Sequence, residues 1–111
     1  MRFLEPSFFK LLGAGVLLLS FSLALQAAPA DDGGELFGQK CSMCHGADGK
    51  GRSILKTPDL TDRKVQASLK DKQIAEIIKN GKAGTGMPPF ADKLSDRQIQ
   101  SLVTYIRSLK K

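Results

Sequence analysis

The amino-acid sequence predicts an all-α protein of three or more helices, and three observations carry that reading. Apolar residues recur at the 3.6-residue period in two stretches of the C-terminal half, each opened by polar residues with a capping pattern. Glycine and proline concentrate in the segments between the helical stretches. No run alternates apolar and polar residues as a half-buried strand would.

The first quarter of the chain is of a different kind. Arg2 and Lys10 make a basic start, Leu11 to Leu25 is an uncharged apolar run, and Ala27, Ala28 and Ala30 are the small residues a signal peptidase requires. Residues 1–30 read as an export signal, cleaved after Ala27 or Ala30, and we take the second. An uncleaved anchor is the competing reading, but the run is shorter than the roughly 20 residues that cross the hydrocarbon of a bilayer. Removing it from the 111 residues leaves residues 31–111 as one domain of 81 residues, destined for the periplasm. A domain this small often needs a metal, a disulfide or another staple beside its side chains. Lys+Arg falls from 17 to 15 and Asp+Glu from 11 to 10, so the net charge goes from +6 to +5. The basic residues are scattered, with no Trp and no Arg-rich tract, which argues against nucleic acid and for an acidic protein partner.

The first helical stretch runs from about Gly34 into the cysteine motif, with Leu36, Phe37 and Cys41 on one face. It ends at Gly46-Ala47-Asp48-Gly49-Lys50-Gly51, where tight turns are easy. The second is expected from about Leu69 to Asn80, capped by Ser68 and Asp71, stopped by Gly81, and buried through Ile74, Ile77 and Ile78. The third begins at Ser95 with Gln98 as its capping partner and continues through Ile99, Leu102, Val103, Ile106 and Leu109. Arg107, Lys110 and Lys111 place cations at the negative end of its dipole. Between the last two helices, Gly84-Thr85-Gly86-Met87-Pro88-Pro89-Phe90 must be a fixed loop, because paired prolines remove two amide donors and restrict the residue before each.

Cys41-Ser42-Met43-Cys44-His45 is a Cys-x-x-Cys-His motif, the attachment signature of c-type haem. Two thiols three residues apart on a helical turn face one side and can add to the two vinyl groups of a porphyrin, while His45 is held beneath the iron. A structural disulfide would leave His45, the chain's one histidine, unexplained. A redox dithiol expects a strand before the motif, and a closed zinc site needs four ligands where this chain has three cysteine and histidine residues.

Elimination points to Met87 as the second axial ligand. Met1 leaves with the leader, and Met43 sits between the attached cysteines. A lysine is the minor competitor, and a gap-filling core role is the plain alternative for Met87. His/Met ligation raises the reduction potential and closes both axial positions, which favours electron transfer over oxygen chemistry. His45 also needs an acceptor for its second ring nitrogen, and Thr57-Pro58-Asp59-Leu60 is the segment expected to supply it.

Together these residues resemble the class I c-type cytochromes, particularly the small bacterial ones with one haem, over essentially all of residues 31–111. The resemblance implies an all-α fold wrapped around one covalently attached haem c with its iron. It implies that Cys41, Cys44, His45, Met87 and Pro58 bind the cofactor, with His45 and Met87 on the metal and the Pro58 carbonyl as the histidine's acceptor. It also implies a crossing of the N- and C-terminal helices that sets Gly33 and Phe37 against Leu102 and Tyr105. One haem edge would be exposed and ringed by basic residues, for which Lys40, Lys50, Lys56, Lys82 and Lys93 are the candidates. The function so implied is a monomeric one-electron carrier between redox proteins, and not an enzyme. A haem enzyme or gas-responsive domain in which Met87 leaves the iron is one alternative, and a permanently anchored subunit is another.

Overall fold

The computed structural model describes residues 31–111, so the leader and its cleavage site lie outside the described residues. Five α-helices follow in order, with one 3-10 turn and, among the described residues, no strand. They are α1 (Gly33–Lys40), α2 (Ser42–His45), the 3-10 turn Ser53–Leu55, α3 (Arg63–Ser68), α4 (Asp71–Asn80) and α5 (Asp96–Ser108).

Asp32 opens α1, its carboxylate accepting the amides of Gly34 at 2.8 Å and Glu35 at 3.0 Å. The stretch expected to run unbroken into the cysteine motif is interrupted at Cys41 (φ −121°, ψ −31°), and α2 restarts from there. α5 begins where its capping box requires: Ser95 accepts the Gln98 amide at 3.1 Å and donates its own amide to the Gln98 side chain at 2.9 Å.

The second expected helix, about Leu69 to Asn80, is α4, and the sequence reading missed a short helix before it. Asp62 caps that helix, α3, accepting the amides of Lys64 at 2.7 Å and Val65 at 3.1 Å. Leu69 is extended (φ −128°, ψ 139°) and separates α3 from α4. Ser68 is the last residue of α3, its hydroxyl donating to the Val65 carbonyl at 2.7 Å, and is not the cap of α4. That end is closed instead by Gln73, which accepts the Lys70 amide at 2.8 Å.

α1 packs most extensively against α5, and α4 against α5. Leu36 and Phe37 of α1, Ala75 and Ile78 of α4, Leu94, and Ile99, Leu102, Val103 and Ile106 of α5 make one buried cluster. Phe37, Ile99 and Leu102 are fully buried. Each large member is worth about 1.5–3 kcal/mol of removed apolar surface. Gly33 lies where α1 crosses α5: a Cβ there would overlap the Ser101 carbonyl and stand 2.9 Å from the Tyr105 Cβ. The Phe37 and Tyr105 rings meet at 5.2 Å between centroids, tilted by 48°. The implied crossing is therefore present, with Ser101 and Tyr105 against Gly33, and Leu102 in the cluster it shares with Phe37.

Arg107 lies in the last turn of α5, as expected, and also ties distant segments together. Its guanidinium reaches Asp71 at 2.7 Å, the Gln66 side chain at 3.0 Å, and the carbonyls of Gln66 and Leu69. The buried Gln66 in turn donates to the carbonyls of Leu60 at 2.6 Å and Ile106 at 2.8 Å. This network fastens the α3–α4 corner to α5.

Candidate haem site

The cysteine motif is one turn of helix. The amides of Cys44 and His45 donate to the Cys41 carbonyl at 3.2 and 2.9 Å, and Gly46 (φ +79°) then turns the chain away. Cys41 is half-buried and Cys44 exposed, both free thiols. Burial, reinforced by the neighbouring Cys44, pushes the Cys41 thiol up to about 11. Burial also lowers the pKa of His45, which favours the neutral imidazole that metals bind.

His45 Nδ1 is buried without a hydrogen-bond partner. The bond implied between His45 and the Pro58 carbonyl is thus not formed in this structure. Instead, the Thr57 hydroxyl donates to the Cys44 carbonyl at 2.9 Å, and Gly51 packs so closely that a Cβ on it would lie 2.7 Å from the Pro58 oxygen. Pro58 stands beside the motif, on the wall of the same cavity.

Cys41, Cys44, His45, Pro58 and Met87 all line one cavity of about 500 Å³. That volume falls within the range of about 300–1,000 Å³ typical of cofactor sites. Its remaining wall is largely apolar and includes Leu60, Val65, Leu69, Ile74, Ile77 and Phe90. Ile74 and Ile77, expected on the buried face of the helix, are half-buried and line this space together with the buried Ile78, and Ile74 also packs against the core cluster. Val65 and Leu69 were not anticipated; the unrecognised helix α3 brings them here. Met87 is half-buried and packs against the core cluster.

Four charged residues line the cavity, Lys40, Lys56, Lys82 and Arg107, and all are basic. Lys50 and Lys93 of the expected ring are not on its wall; the Lys93 ammonium stands 5.8 Å above the Phe90 ring. Met43 (81% exposed) and Leu55 (51%) add exposed apolar surface at the same cavity, next to Ile54 (87%). Among the described residues, no group of three or more His, Cys, Asp or Glu is placed to hold a metal ion. Two thiols on one turn, a neutral imidazole with an orphaned nitrogen and a thioether, all around one apolar cavity, fit a covalently bound haem.

Comparisons with known proteins agree. Residues 28–106 match the model of the family described as cytochrome C oxidase, cbb3-type, subunit III. The chain is 35% identical over 88 residues to the cbb3-type cytochrome c oxidase subunit FixP of Azorhizobium caulinodans, covering 75% of this chain and 30% of the relative. It is 34% identical over 93 residues to subunit CcoP of Rubrivivax gelatinosus, covering 80% of this chain and again 30% of the relative. The chain thus spans about a third of the length of these curated relatives. Among solved structures, the KustC0563 c-type cytochrome superposes with a TM-score of 0.67 at 35% identity, covering 72% of this chain and 99% of that one. The chain belongs to the family of cytochrome c oxidase, cbb3-type, subunit III, as a class I c-type cytochrome domain whose cofactor is covalently bound haem c with its iron.

Proposed function

We propose that this chain is a periplasmic electron carrier with one haem, held by Cys41 and Cys44 and ligated by His45 and Met87. The observation that carries the reading is that these four side chains meet on the wall of one apolar cavity, with only basic charges beside them. The bound haem iron supplies the one-electron couple. Cys41 and Cys44 would hold the ring through thioethers, His45 would offer its imidazole to the iron, and the Met87 thioether would complete the ligand set and raise the potential. Pro58, on the same wall, is our proposed acceptor for His45 Nδ1 once iron fixes the ring.

Lys40, Lys56 and Lys82, with the exposed apolar Met43 and Leu55 among them, suit a partner with an apolar contact inside an acidic rim. The match over 99% of the chain of a solved c-type cytochrome supports the carrier reading. The family supports a second reading, in which the domain serves within an oxidase complex as FixP and CcoP do by name. Among the described residues no helix is long and apolar enough to cross a membrane. Fractionation separates the two: a carrier is released with the periplasm, and a subunit stays with membranes and copurifies with oxidase.

Replacing Met87 with Ala tests the ligation. The weak near-infrared band of sulfur-to-ferric-iron charge transfer should vanish, the potential should fall and peroxidase activity should rise. If band, potential and low peroxidase activity all survive, Met87 is a core residue and the assignment is wrong.

A further inference from the structure

The segment that carries Met87 is fastened to the C-terminal end of α4 by its main chain. The Met87 carbonyl accepts the Lys82 amide at 3.3 Å, and the Met87 amide donates to the Thr85 hydroxyl at 3.2 Å. That hydroxyl donates onward to the Lys82 carbonyl at 2.7 Å. Beyond the prolines, the Phe90 amide returns to the Ile78 carbonyl at 3.0 Å, and the Ala91 amide to that of Lys79 at 3.1 Å.

Gly81 makes this return possible. It has φ +71°, and a Cβ built on it would lie 2.7 Å from the Met87 oxygen and 3.0 Å from both the Pro88 carbonyl carbon and the Pro89 nitrogen. All three atoms are backbone, held on the far side by proline rings that cannot rotate away. Gly84 offers the contrast. It too has a positive φ, +77°, but a Cβ there would meet nothing within 4 Å. An alanine is strained by the positive φ at either position, the more so at Gly81, whose ψ of −175° places it where little but glycine is found, and only at Gly81 does it also push on Met87.

We propose that Gly81 and Thr85 are positioning residues that clamp the Met87 main chain, and that this clamp sets how firmly the Met87 sulfur holds its place on the iron. The inference rests on Met87 being the sixth ligand and adds what keeps it there. A ligand on a rigid segment exchanges less readily, since a competitor must pay the full cost of lifting the loop.

The test uses ferric holoprotein and exogenous imidazole, whose binding displaces a weakly held methionine and is read from the loss of the near-infrared band. Gly81→Ala should raise the apparent imidazole affinity by about tenfold, from the overpacking forced on Met87. Gly84→Ala should move it far less. Thr85→Val, which adds no bulk and removes the hydroxyl, should also raise the affinity, and Thr85→Ser should restore the wild-type value. That pair keeps the proposal open to failure even if Gly81→Ala does not fold. Equal effects of Gly81→Ala and Gly84→Ala would assign the change to strain in a positive-φ loop and overturn the clamp. Unchanged affinity in both Gly81→Ala and Thr85→Val would overturn it too. If wild type lacks the band and binds imidazole as Met87→Ala does, the ligation itself fails and takes the clamp with it.

Discussion

The Thr57 hydroxyl donates to the carbonyl of Cys44 at 2.9 Å, joining the loop that carries Pro58 to the helical turn that carries both thiols. The same oxygen accepts the Arg52 amide at 2.6 Å, so one side chain holds the loop closed and ties it to the motif. Thr57→Val keeps the shape and loses both bonds. At about 0.5–1.5 kcal/mol for each, the holoprotein should lose about 1–3 kcal/mol of stability, read from its denaturant midpoint. No measurable loss would mean that the motif is positioned by its own helix alone.

At the α1–α5 crossing, Gly33→Ala should force the helices apart, because the added Cβ meets the Ser101 backbone and the Tyr105 Cβ. Overpacking of this kind costs about 1–3 kcal/mol. In a domain of this size, each kcal/mol corresponds to a thermal midpoint lower by about 4–8 °C. Gly38→Ala, on the same helix with nothing within 4 Å of the new atom, is the control and should be neutral or stabilising.

Arg107 should resist conservative replacement. Arg107→Lys keeps the charge but cannot reach Asp71, Gln66 and the Leu69 carbonyl together, and should destabilise the holoprotein by about 1.5–3 kcal/mol. Asp71→Asn, at the exposed end of the pair, should cost only about 0–1 kcal/mol. Similar losses for both variants would show that the ion pair, and not the carbonyl contacts, holds the α3–α4 corner.

Acid stability should carry the mark of Asp59. The Thr61 hydroxyl, at 2.7 Å, and then the Thr61 amide, at 2.8 Å, hold the Asp59 carboxyl below its ordinary pKa. A carboxylate lowered on folding stabilises the protein above its unfolded pKa, and that contribution is lost as pH falls through the folded value. Thr61→Val should therefore be less stable than wild type at neutral pH, with the gap narrowing as pH drops below about 4. Urea midpoints of the two proteins at each pH check this, and a pH-independent gap would exclude Asp59 as its source.

Electron exchange with an acidic partner should slow as salt rises toward about 0.15 M, where the Debye length is about 8 Å. Charge reversal at Lys40, Lys56 or Lys82 on the cavity wall should reduce the rate more than reversal at Lys50 or Lys93. Stopped-flow rates at several ionic strengths would show it. A flat salt response would make the basic rim irrelevant to docking.

How much of this was legible in the sequence depends on the range of each interaction. The Cys41–His45 motif and the Ser95–Gln98 capping box could be read directly, because each is closed within about one helical turn and its spacing states its geometry. The rigidity of the segment around Met87 followed from its prolines, and elimination followed from the residue count. Helix α3 was missed because its six residues are too few to show a period and its signal is the single cap at Asp62. Ile74 and Ile77 were read simply as buried because periodicity identifies an apolar face without showing whether protein or a cofactor covers it. The hydrogen-bond partners of Arg107 were beyond the sequence. The Arg107 guanidinium bonds residues 36 to 41 positions away. Contacts across such distances are chosen by the packing of α1, α4 and α5, which only the tertiary structure decides.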